Sequence, residues 1–377
     1  MIAPAITSGA ALPPGSTIGI LGGGQLGRML AIAAAQIGYR THIYAPEADG
    51  VAAEVATRHT CAAYDDVMAL NGFAAGVDVI TFEFENVPVE TVQILAEHRL
   101  VRPGVQSLKI AQDRLEEKAF ATAHGVPVAR FAPVSSAASL ADAIAEIGLP
   151  AILKTATEGY DGKGQARIAD AATAGAVWDA IGNRRAVLET QVDFLGEFSV
   201  LVARSADGST AQWDCPENIH ADGILAQSRV PARAELAAQA AAATAYALKL
   251  ASALDHVGVL ACEFFATPDG PIFNEMAPRV HNSGHWTIEG AVTSQFENHI
   301  RAICGLPLGA TALTGNAVDM RNIIGADVDQ WADYLADPDC RLHLYGKGHG
   351  RAGRKMGHAT WVRHAGGTTN EQSEQTA

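Results

Sequence analysis

The chain has 377 residues, of which 48% are hydrophobic and 18% charged, and its formal net charge is −14. That length exceeds the ~100–200 residues typical of one domain and predicts two or three. The acidic balance excludes a general nucleic-acid or anionic-membrane surface, so an anionic ligand must be held by a local basic cluster. Cys61, Cys215, Cys262, Cys304 and Cys340 are odd in number and form no C-x-x-C. This excludes a disulfide framework and the common zinc patterns, and points to a reducing, cytoplasmic compartment. No run of about eighteen apolar residues is present, so no membrane span is expected. Residues 1–16 are uncharged and hold Pro4, Pro13 and Pro14. They read as a flexible extension rather than a signal peptide.

Residues 17–21 form a short apolar strand that enters Gly22-Gly23-Gly24-Gln25-Leu26-Gly27. Helical spacing follows over 28–37 and a second strand over 41–44, a βαβ opening with a G-x-G-x-x-G match. Its physical expectation is an anion at the helix N-terminus. A dinucleotide, another phosphate and plain strand–helix packing all remain open. The dinucleotide reading wants an acid where Tyr44-Ala45-Pro46 stands. A further buried strand over 77–82 runs into Glu83-Phe84-Glu85. The two acids alternate with aromatics at the edge that faces the crevice of a doubly wound sheet, or they form a solvated strand end. A charged helix over 113–124 is closed by Gly125 and Pro127.

The apolar run 150–153 predicts a strand ending on Lys154, followed by Gly159, Gly162 and Gly164. Such a loop can cradle polyphosphate; it can also be a hairpin turn with solvated lysines. Helices over 139–147 and 171–181 and strands over 166–168, 186–189 and 197–203 build an α+β unit. That unit brings Lys154, the loop and Glu189 together. An alanine-rich helix is expected over 235–254. Strands over 257–265 and 271–275 turn through Pro268-Asp269-Gly270 and set Glu263 beside Glu275. Two carboxylates together in an apolar setting repel unless a cation neutralises them. With Asn274 the oxygen-rich set suits Mg²⁺, the alternative being two solvent-facing acids. The polar run Arg279-Val280-His281-Asn282-Ser283-Gly284-His285-Trp286 reads as a functional loop. From Ala310 a small third unit is expected. Its Gly346-Lys347-Gly348-His349-Gly350-Arg351-Ala352-Gly353-Arg354-Lys355 run suits phosphate recognition.

Taken together these segments resemble the ATP-grasp superfamily and, within it, the 5-(carboxyamino)imidazole ribonucleotide synthases, carboxylases of bacterial and fungal purine synthesis. The residues that carry the resemblance are 22–30 (Gly-Gly-Gly-Gln-Leu-Gly-Arg-Met-Leu), 159–165 (Gly-Tyr-Asp-Gly-Lys-Gly-Gln), 274–286, Ser-Gln-Phe-Glu at 294–297 and Gly-Arg-Lys-Met-Gly-His at 353–358. The resemblance implies a mixed α/β and α+β architecture with an ATP-grasp fold. It divides the chain into a Rossmann-like pre-ATP-grasp domain (17–112), an ATP-grasp domain (113–305, with a mobile lid about 125–192), a small C-terminal domain (306–366) and a disordered tail (367–377).

It further implies that ATP is held by Arg114, Lys154, Glu189, Val192, Glu197, His220, Asn274 and Glu275. The loop Gly159, Tyr160, Asp161, Gly162, Lys163, Gly164 and Gln165 would fold over the phosphates, and Mg²⁺ would sit on Glu263 and Glu275. The ribonucleotide would touch Gln25, Leu26, Glu83, Tyr160, Arg279, His281, Asn282, Lys347 and Arg354. Catalytic roles fall to Asp161, Arg279, His281 and Lys347. The implied reaction joins bicarbonate to 5-aminoimidazole ribonucleotide through carboxyphosphate, with ATP cleaved to ADP and phosphate, in a homodimer. One departure is Ala156-Thr157-Glu158, where many relatives carry basic residues before the loop.

Overall fold

The computed structural model describes residues 11–159 and 164–365. The first sheet holds β1 (Thr17–Leu21), β2 (Arg40–Ala45), β3 (Arg58–Cys61), β4 (Val79–Phe82) and β5 (Leu100–Val101). Its order is β3-β2-β1-β4-β5, with every pair parallel. Ile18, Ile20 and Leu21 of β1 are fully buried, as expected of a parallel strand covered on both faces. The helix that follows spans Gln25–Gln36, with Gly24 as its N-cap. It starts inside the glycine run, three positions earlier than the expected 28, so Gln25 and Leu26 belong to its first turn. The expected flexible extension also needs correction: the backbone N–H of Leu12 donates to Cys304 O at 2.9 Å and its carbonyl accepts from the Tyr39 hydroxyl at 2.6 Å. The chain is therefore docked from Leu12 onward, and residues 1–10 lie outside the described residues.

The helix Arg114–Ala123 is N-capped by Asp113, which accepts from the backbone of Leu115 and Glu116. A four-stranded antiparallel sheet follows, ordered β6-β9-β7-β8. Its strands are β6 (Phe131–Val134), β7 (Ala151–Thr155), β8 (Gln165–Ile168) and β9 (Ala186–Thr190). The β7–β8 hairpin pairs Lys154 with Gln165. Residues 171–181, expected as one helix, are a 3₁₀ turn (Ala171–Thr173) and a short helix (Ala174–Ala180).

The largest sheet contains β10 (Gly196–Arg204), β11 (Thr210–Gln212), β12 (Glu217–Ala221), β13 (Ile224–Val230), β14 (Gly258–Thr267), β15 (Gly270–Ala277), β16 (Ala317–Ile324), β17 (Cys340–Leu344) and β18 (Lys355–Arg363). Its order is β15-β14-β10-β12-β13-β16-β18-β17, with β11 on β10. The third unit expected from Ala310 therefore builds no sheet of its own: β16, β17 and β18 extend the central one. Val318 and Met320 of β16 share a core with Leu201, Trp286 and Phe296.

The helix expected over 235–254 is broken into Ala234–Ala237 and Ala240–Ala253. At the break, Gln239 N–H tightens onto Leu236 O and the Gln239 side chain donates to Thr267 O at 2.8 Å. The longer piece packs its Ala243, Ala247 and Leu250 against Val200, Leu260 and Phe273 of the sheet. The helix Gln295–Ile303 joins the first and largest sheets. Within it, His299 accepts from Val259 N–H at Nδ1, so its Nε2–H donates to Thr81 of β4 at 2.8 Å. All five cysteines are free. Among the described residues no helix is long and apolar enough to cross a membrane.

Candidate active site

A cavity of about 830 Å³ opens where the three sheets meet. Its floor is a buried ion network. Lys154, at the end of β7, lies 3.0 Å from Glu189 Oε2, and Lys118 lies 3.2 Å from Glu189 Oε1. Lys154 also donates to Asn274 Oδ1 at 3.3 Å, and Lys118 to the Asn274 carbonyl at 3.2 Å. Burial tends to raise the Glu189 carboxyl, but the charges of Lys118 and Lys154 outweigh it and hold it down. Lys154 is pulled below the usual ammonium range by burial, against the pull of Glu189. Such a network is costly to assemble, and removing one member strands the others.

Arg114 extends the network: Nη1 lies 2.6 Å from Glu275 Oε2, and Nη2 donates to the Gly159 carbonyl at 3.2 Å. Glu275 and Glu263 are direct cross-strand partners on β15 and β14, the register expected from the sequence. Burial acts to raise both carboxyls. Glu275 is nevertheless held low by Arg114, whereas Glu263 stays raised because the Glu275 charge adds to its burial. Glu263 Oε1 lies 3.2 Å from His281 Nε2. The ring's Nδ1 accepts from Ser283 N–H, so the bonding pattern places the proton on Nε2, facing Glu263. His281 is lowered to about 3 by burial, then by Arg279 and Lys355, and is neutral at ordinary pH. On β12 and β10, His220 Nδ1 and Glu197 Oε2 are 2.5 Å apart. Burial lowers His220, but the Glu197 bond and charge outweigh that and raise it.

The opposite wall comes from the first sheet and the 279–285 loop. Glu83 is buried and accepts from the N–H groups of Gly24 and of Gly27, the latter at 2.6 Å. The helix N-terminus expected to attract an outside anion thus holds a carboxylate of its own chain. A Cβ at Gly24 would lie 2.6 Å from Glu83 Oε1, and one at Gly22 2.4 Å from its Cγ, so the glycines there make room for that side chain. Two positions on, Glu85 is bound by Arg279, with Nε and Nη2 both 2.5 Å from Oε2. Burial would raise Glu85, and Arg279 overrides it. Gln295 clamps the loop by accepting from His281 N–H at 2.9 Å and donating to its carbonyl at 2.6 Å. Gly284 packs against that clamp: a Cβ would lie 2.4 Å from Leu201 Cδ2 and 2.7 Å from the Gln295 amide. Asn282 lines the cavity with both atoms of its side-chain amide buried and unpartnered.

The cavity lining gathers Gln25, Leu26, Glu83, Arg114, Lys154, Gly159, Gln165, Glu189, Val192, Glu197, His220, Glu263, Asn274, Glu275, Arg279, His281 and Asn282. It does not gather Lys347, Arg354 or Gly164. Lys347 lies over the Tyr345 ring at 5.7 Å, and Arg354 donates to the Lys347 carbonyl at 3.4 Å. Gly164 turns at φ +72 beside Thr155, where a Cβ would meet Oγ1 at 2.7 Å. Tyr160, Asp161, Gly162 and Lys163 lie outside the described residues. Sequence reasoning missed Glu117, Lys118 and Gln295; Glu117 lines the cavity, as does Lys355 from the basic run read as suited to phosphate. Glu117 accepts from Met276 N–H at 2.6 Å, and burial followed by the Glu275 charge pushes its carboxyl up to about 8. Ala156, Thr157 and Glu158 also line the cavity; Glu158 forms an exposed pair with Arg184 at 3.1 Å.

The ATP-grasp domain family matches residues 119–296, the ribonucleotide synthetase preATP-grasp domain family 16–112, and the phosphoribosylaminoimidazole carboxylase C-terminal domain family 319–372. A lysine- and arginine-lined cavity between two antiparallel sheets, carrying paired acids on a hairpin, makes this chain an ATP-grasp enzyme, an ATP-dependent ligase. It is 51% identical over 355 residues to the N5-carboxyaminoimidazole ribonucleotide synthase of Brucella melitensis, covering 93% of this chain and 98% of the relative. It superposes on an ADP complex of an N5-carboxyaminoimidazole ribonucleotide synthetase with a TM-score of 0.89, at 44% identity and 94% coverage of each chain. The Aspergillus clavatus synthase in complex with ADP and 5-aminoimidazole ribonucleotide gives a TM-score of 0.86 at 29% identity, covering 92% of this chain and 94% of that one. The chain belongs to the N5-carboxyaminoimidazole ribonucleotide synthase family.

Proposed function

We propose that this protein carboxylates the exocyclic amine of 5-aminoimidazole ribonucleotide with bicarbonate, cleaving ATP to ADP and phosphate, as a step of purine synthesis. The observation that carries the reading is that one cavity presents two walls. One is the Lys154–Glu189–Lys118–Arg114 network, suited to a polyphosphate. The other is the 279–285 loop with the orphaned Asn282 amide, suited to a second polar substrate. Buried polar groups left unpaired inside a ligand cavity are expected to find partners on the ligand.

In the proposed sequence a bicarbonate oxygen attacks the terminal phosphorus of ATP and ADP departs. Lys154 and Arg114 hold and neutralise the phosphoryl oxygens as charge shifts. The amine then attacks the carboxyphosphate carbon, or CO₂ released from it, and phosphate leaves. Asp161 accepts the amine proton. Arg279 keeps N–H groups beyond those given to Glu85 and Val280 O; with His281 it orients the bicarbonate-derived carboxylate. The ribose and base meet Gln25, Leu26, Glu83 and Tyr160. The ribonucleotide phosphate extends past the cavity rim to Lys347 and Arg354.

His220 and Glu197 face the nucleoside side with Val192. The 159–165 loop and the lid over about 125–192 close over the phosphates and exclude water, which would hydrolyse the intermediate. The donor set of Glu263, Glu275 and Asn274 fits Mg²⁺: the acids are adjacent, and Glu263 carries a raised carboxyl that a cation would relieve. When bound there, Mg²⁺ supplies Lewis-acid neutralisation of the phosphate oxygens. A homodimer is the assembly proposed from the family.

The test is ADP release measured with and without 5-aminoimidazole ribonucleotide and bicarbonate. Release that requires both, and that formate does not support in place of bicarbonate, is the expected result. Release indifferent to the ribonucleotide would overturn the assignment.

A further inference from the structure

Away from the cavity, three side chains converge where the short helix Thr287–Gly290 meets the β17–β18 pair. His343 and His358 are cross-strand partners, their rings stacked with centroids 4.6 Å apart. Glu289 of the helix sets Oε1 2.7 Å from His343 Nε2. One ligating atom from each of the three lies within 4.8 Å of the other two. None of the three lines the cavity.

Two buried atoms of this group have no hydrogen-bond partner: Nε2 of the fully buried His358, and Oε2 of Glu289. The Tyr345 hydroxyl occupies Nδ1 of His358 at 2.9 Å, so the other ring nitrogen is the one left over. Burial, followed by the charges of His285 and His343, keeps His358 well below the usual imidazole range. It is therefore neutral, the form in which imidazole ligates a metal.

We propose that Glu289, His343 and His358 form a binding site for a zinc-class divalent cation, separate from the nucleotide site. Two imidazole nitrogens and one carboxylate oxygen form a borderline donor set that suits Zn²⁺ or Co²⁺, whereas Mg²⁺ and Ca²⁺ take oxygen ligands. Ligands about 2.0–2.2 Å from a tetrahedral ion stand roughly 3.3–3.6 Å apart, so the group must contract. His343, whose side chain is 33% exposed, has room to turn and unstack from His358. Once His343 turns, solvent from its exposed side would supply the fourth ligand. The ion would staple the terminal strands to the helix that directly follows the 279–285 loop.

The experiment uses the full chain, stripped with chelator and without nucleotide, titrated with Co²⁺ and then displaced by Zn²⁺. One equivalent of Co²⁺ with the intense visible bands of a four-coordinate ion is expected. So is a rise in Tm of about 3–5 °C at roughly a hundredfold excess of Zn²⁺ over its Kd. Both signals should be lost in His343→Ala and in Glu289→Gln, and both kept in Glu275→Gln. His343 lies at a partly exposed strand position, so its variant is expected to fold; circular dichroism of each variant checks this. Absence of binding would mean that Glu289 and His358 simply hydrogen-bond after a small turn, and would overturn the proposal. Binding that survives His343→Ala and disappears in Glu275→Gln would overturn it as well, by placing the ion at the nucleotide site.

Discussion

Two pairs of carboxylates face the cavity from opposite walls, and they differ in an instructive way. Glu83 and Glu85 end β4; Glu263 and Glu275 face each other across β14 and β15. In each pair an arginine neutralises one member: Arg279 takes Glu85 and Arg114 takes Glu275. The remaining members part company. Burial raises Glu83 as it raises Glu263, but Glu83 accepts from the N–H groups of Gly24 and Gly27. Glu263 lies beside a histidine nitrogen, and the Glu275 charge adds to its burial and outweighs the nearby His220 and Lys355. The first pair therefore closes a glycine turn, whereas the second keeps capacity for a cation. Two acids two residues apart, or across a hairpin, do not announce a metal; the donors around them decide.

The sharpest way to break this comparison is Glu275→Gln, which keeps the shape and removes the charge. Turnover by ADP release is expected to fall by at least ~100-fold, because metal stabilisation of a transferring phosphoryl group contributes several kcal/mol. Near-normal turnover in a folded variant would put the second pair on the same footing as the first. A smaller effect is expected from Arg354→Ala, outside the cavity lining. Ribonucleotide binding should weaken by roughly ten- to a hundred-fold, since a charge-assisted contact contributes about 1.5–3 kcal/mol. ATP affinity should stay unchanged in the same titrations. Equal loss for both ligands would indicate damage to β18 rather than a lost phosphate contact.

Glu83→Gln sharpens the comparison from the other side. One amide oxygen can still accept from the glycine turn, but the amide nitrogen then faces an N–H donor. A stability loss of about 1–3 kcal/mol by urea unfolding follows from leaving a buried donor unpaired, with no change in Mg²⁺ dependence. A changed Mg²⁺ requirement would contradict the division of roles drawn above.

How much of this was legible in the sequence depended on whether local pattern and tertiary burial agreed. The β14–β15 hairpin was legible because apolar residues flank Glu263 and Glu275 and Pro268-Asp269-Gly270 marks the turn; the bulge between Glu263 and Phe264, which moves the partner of Glu263 from Asn274 to Glu275, was not. The β1–glycine–helix opening was legible too, but its occupant was not: nothing local to Gly22–Gly27 says that Glu83, 56 residues beyond Gly27, fills the turn. Glu117 and Lys118 were missed because a helix is normally read with its charges outward. Here both are buried, and the signal lay only in the need of Glu189 for a second cation. Strands β12 and β13 went unseen because their pattern is mixed and their pairings are set by distant segments, although His220 itself was found by resemblance. The break at 238–239 is invisible in a run of alanines that favours helix throughout. The third unit was legible as a unit, and residues 319–372 match a domain family of their own; its edge pairing with the central sheet through β13 and β16 was not, because its basic glycine-rich run dominates the pattern.

The least dramatic test concerns Glu117, which has one backbone donor where Glu83 has two, and which faces the Glu275 charge. Its carboxyl is raised from the usual 4.5 to about 8. A raised folded-state value means that its contribution to stability is fully present below about 4.5 and is lost as pH rises through about 8. Urea midpoints of the chain without nucleotide should therefore fall from pH 5 to pH 8 more steeply than those of Glu117→Gln. The difference should be at least about 1 kcal/mol, one pKa unit's worth. Parallel profiles would show that the carboxylate titrates normally and that the Met276 N–H suffices to keep it ionised.

The central claim is that the two walls serve two substrates joined through a phosphorylated bicarbonate. It is tested most directly by supplying ¹⁸O-labelled bicarbonate with ATP and 5-aminoimidazole ribonucleotide and reading the released phosphate by mass spectrometry. The two-wall cavity predicts one labelled oxygen in the phosphate for each carboxylated product, with little phosphate formed when the ribonucleotide is withheld. Phosphate free of bicarbonate-derived oxygen, formed alongside carboxylated product, would contradict it.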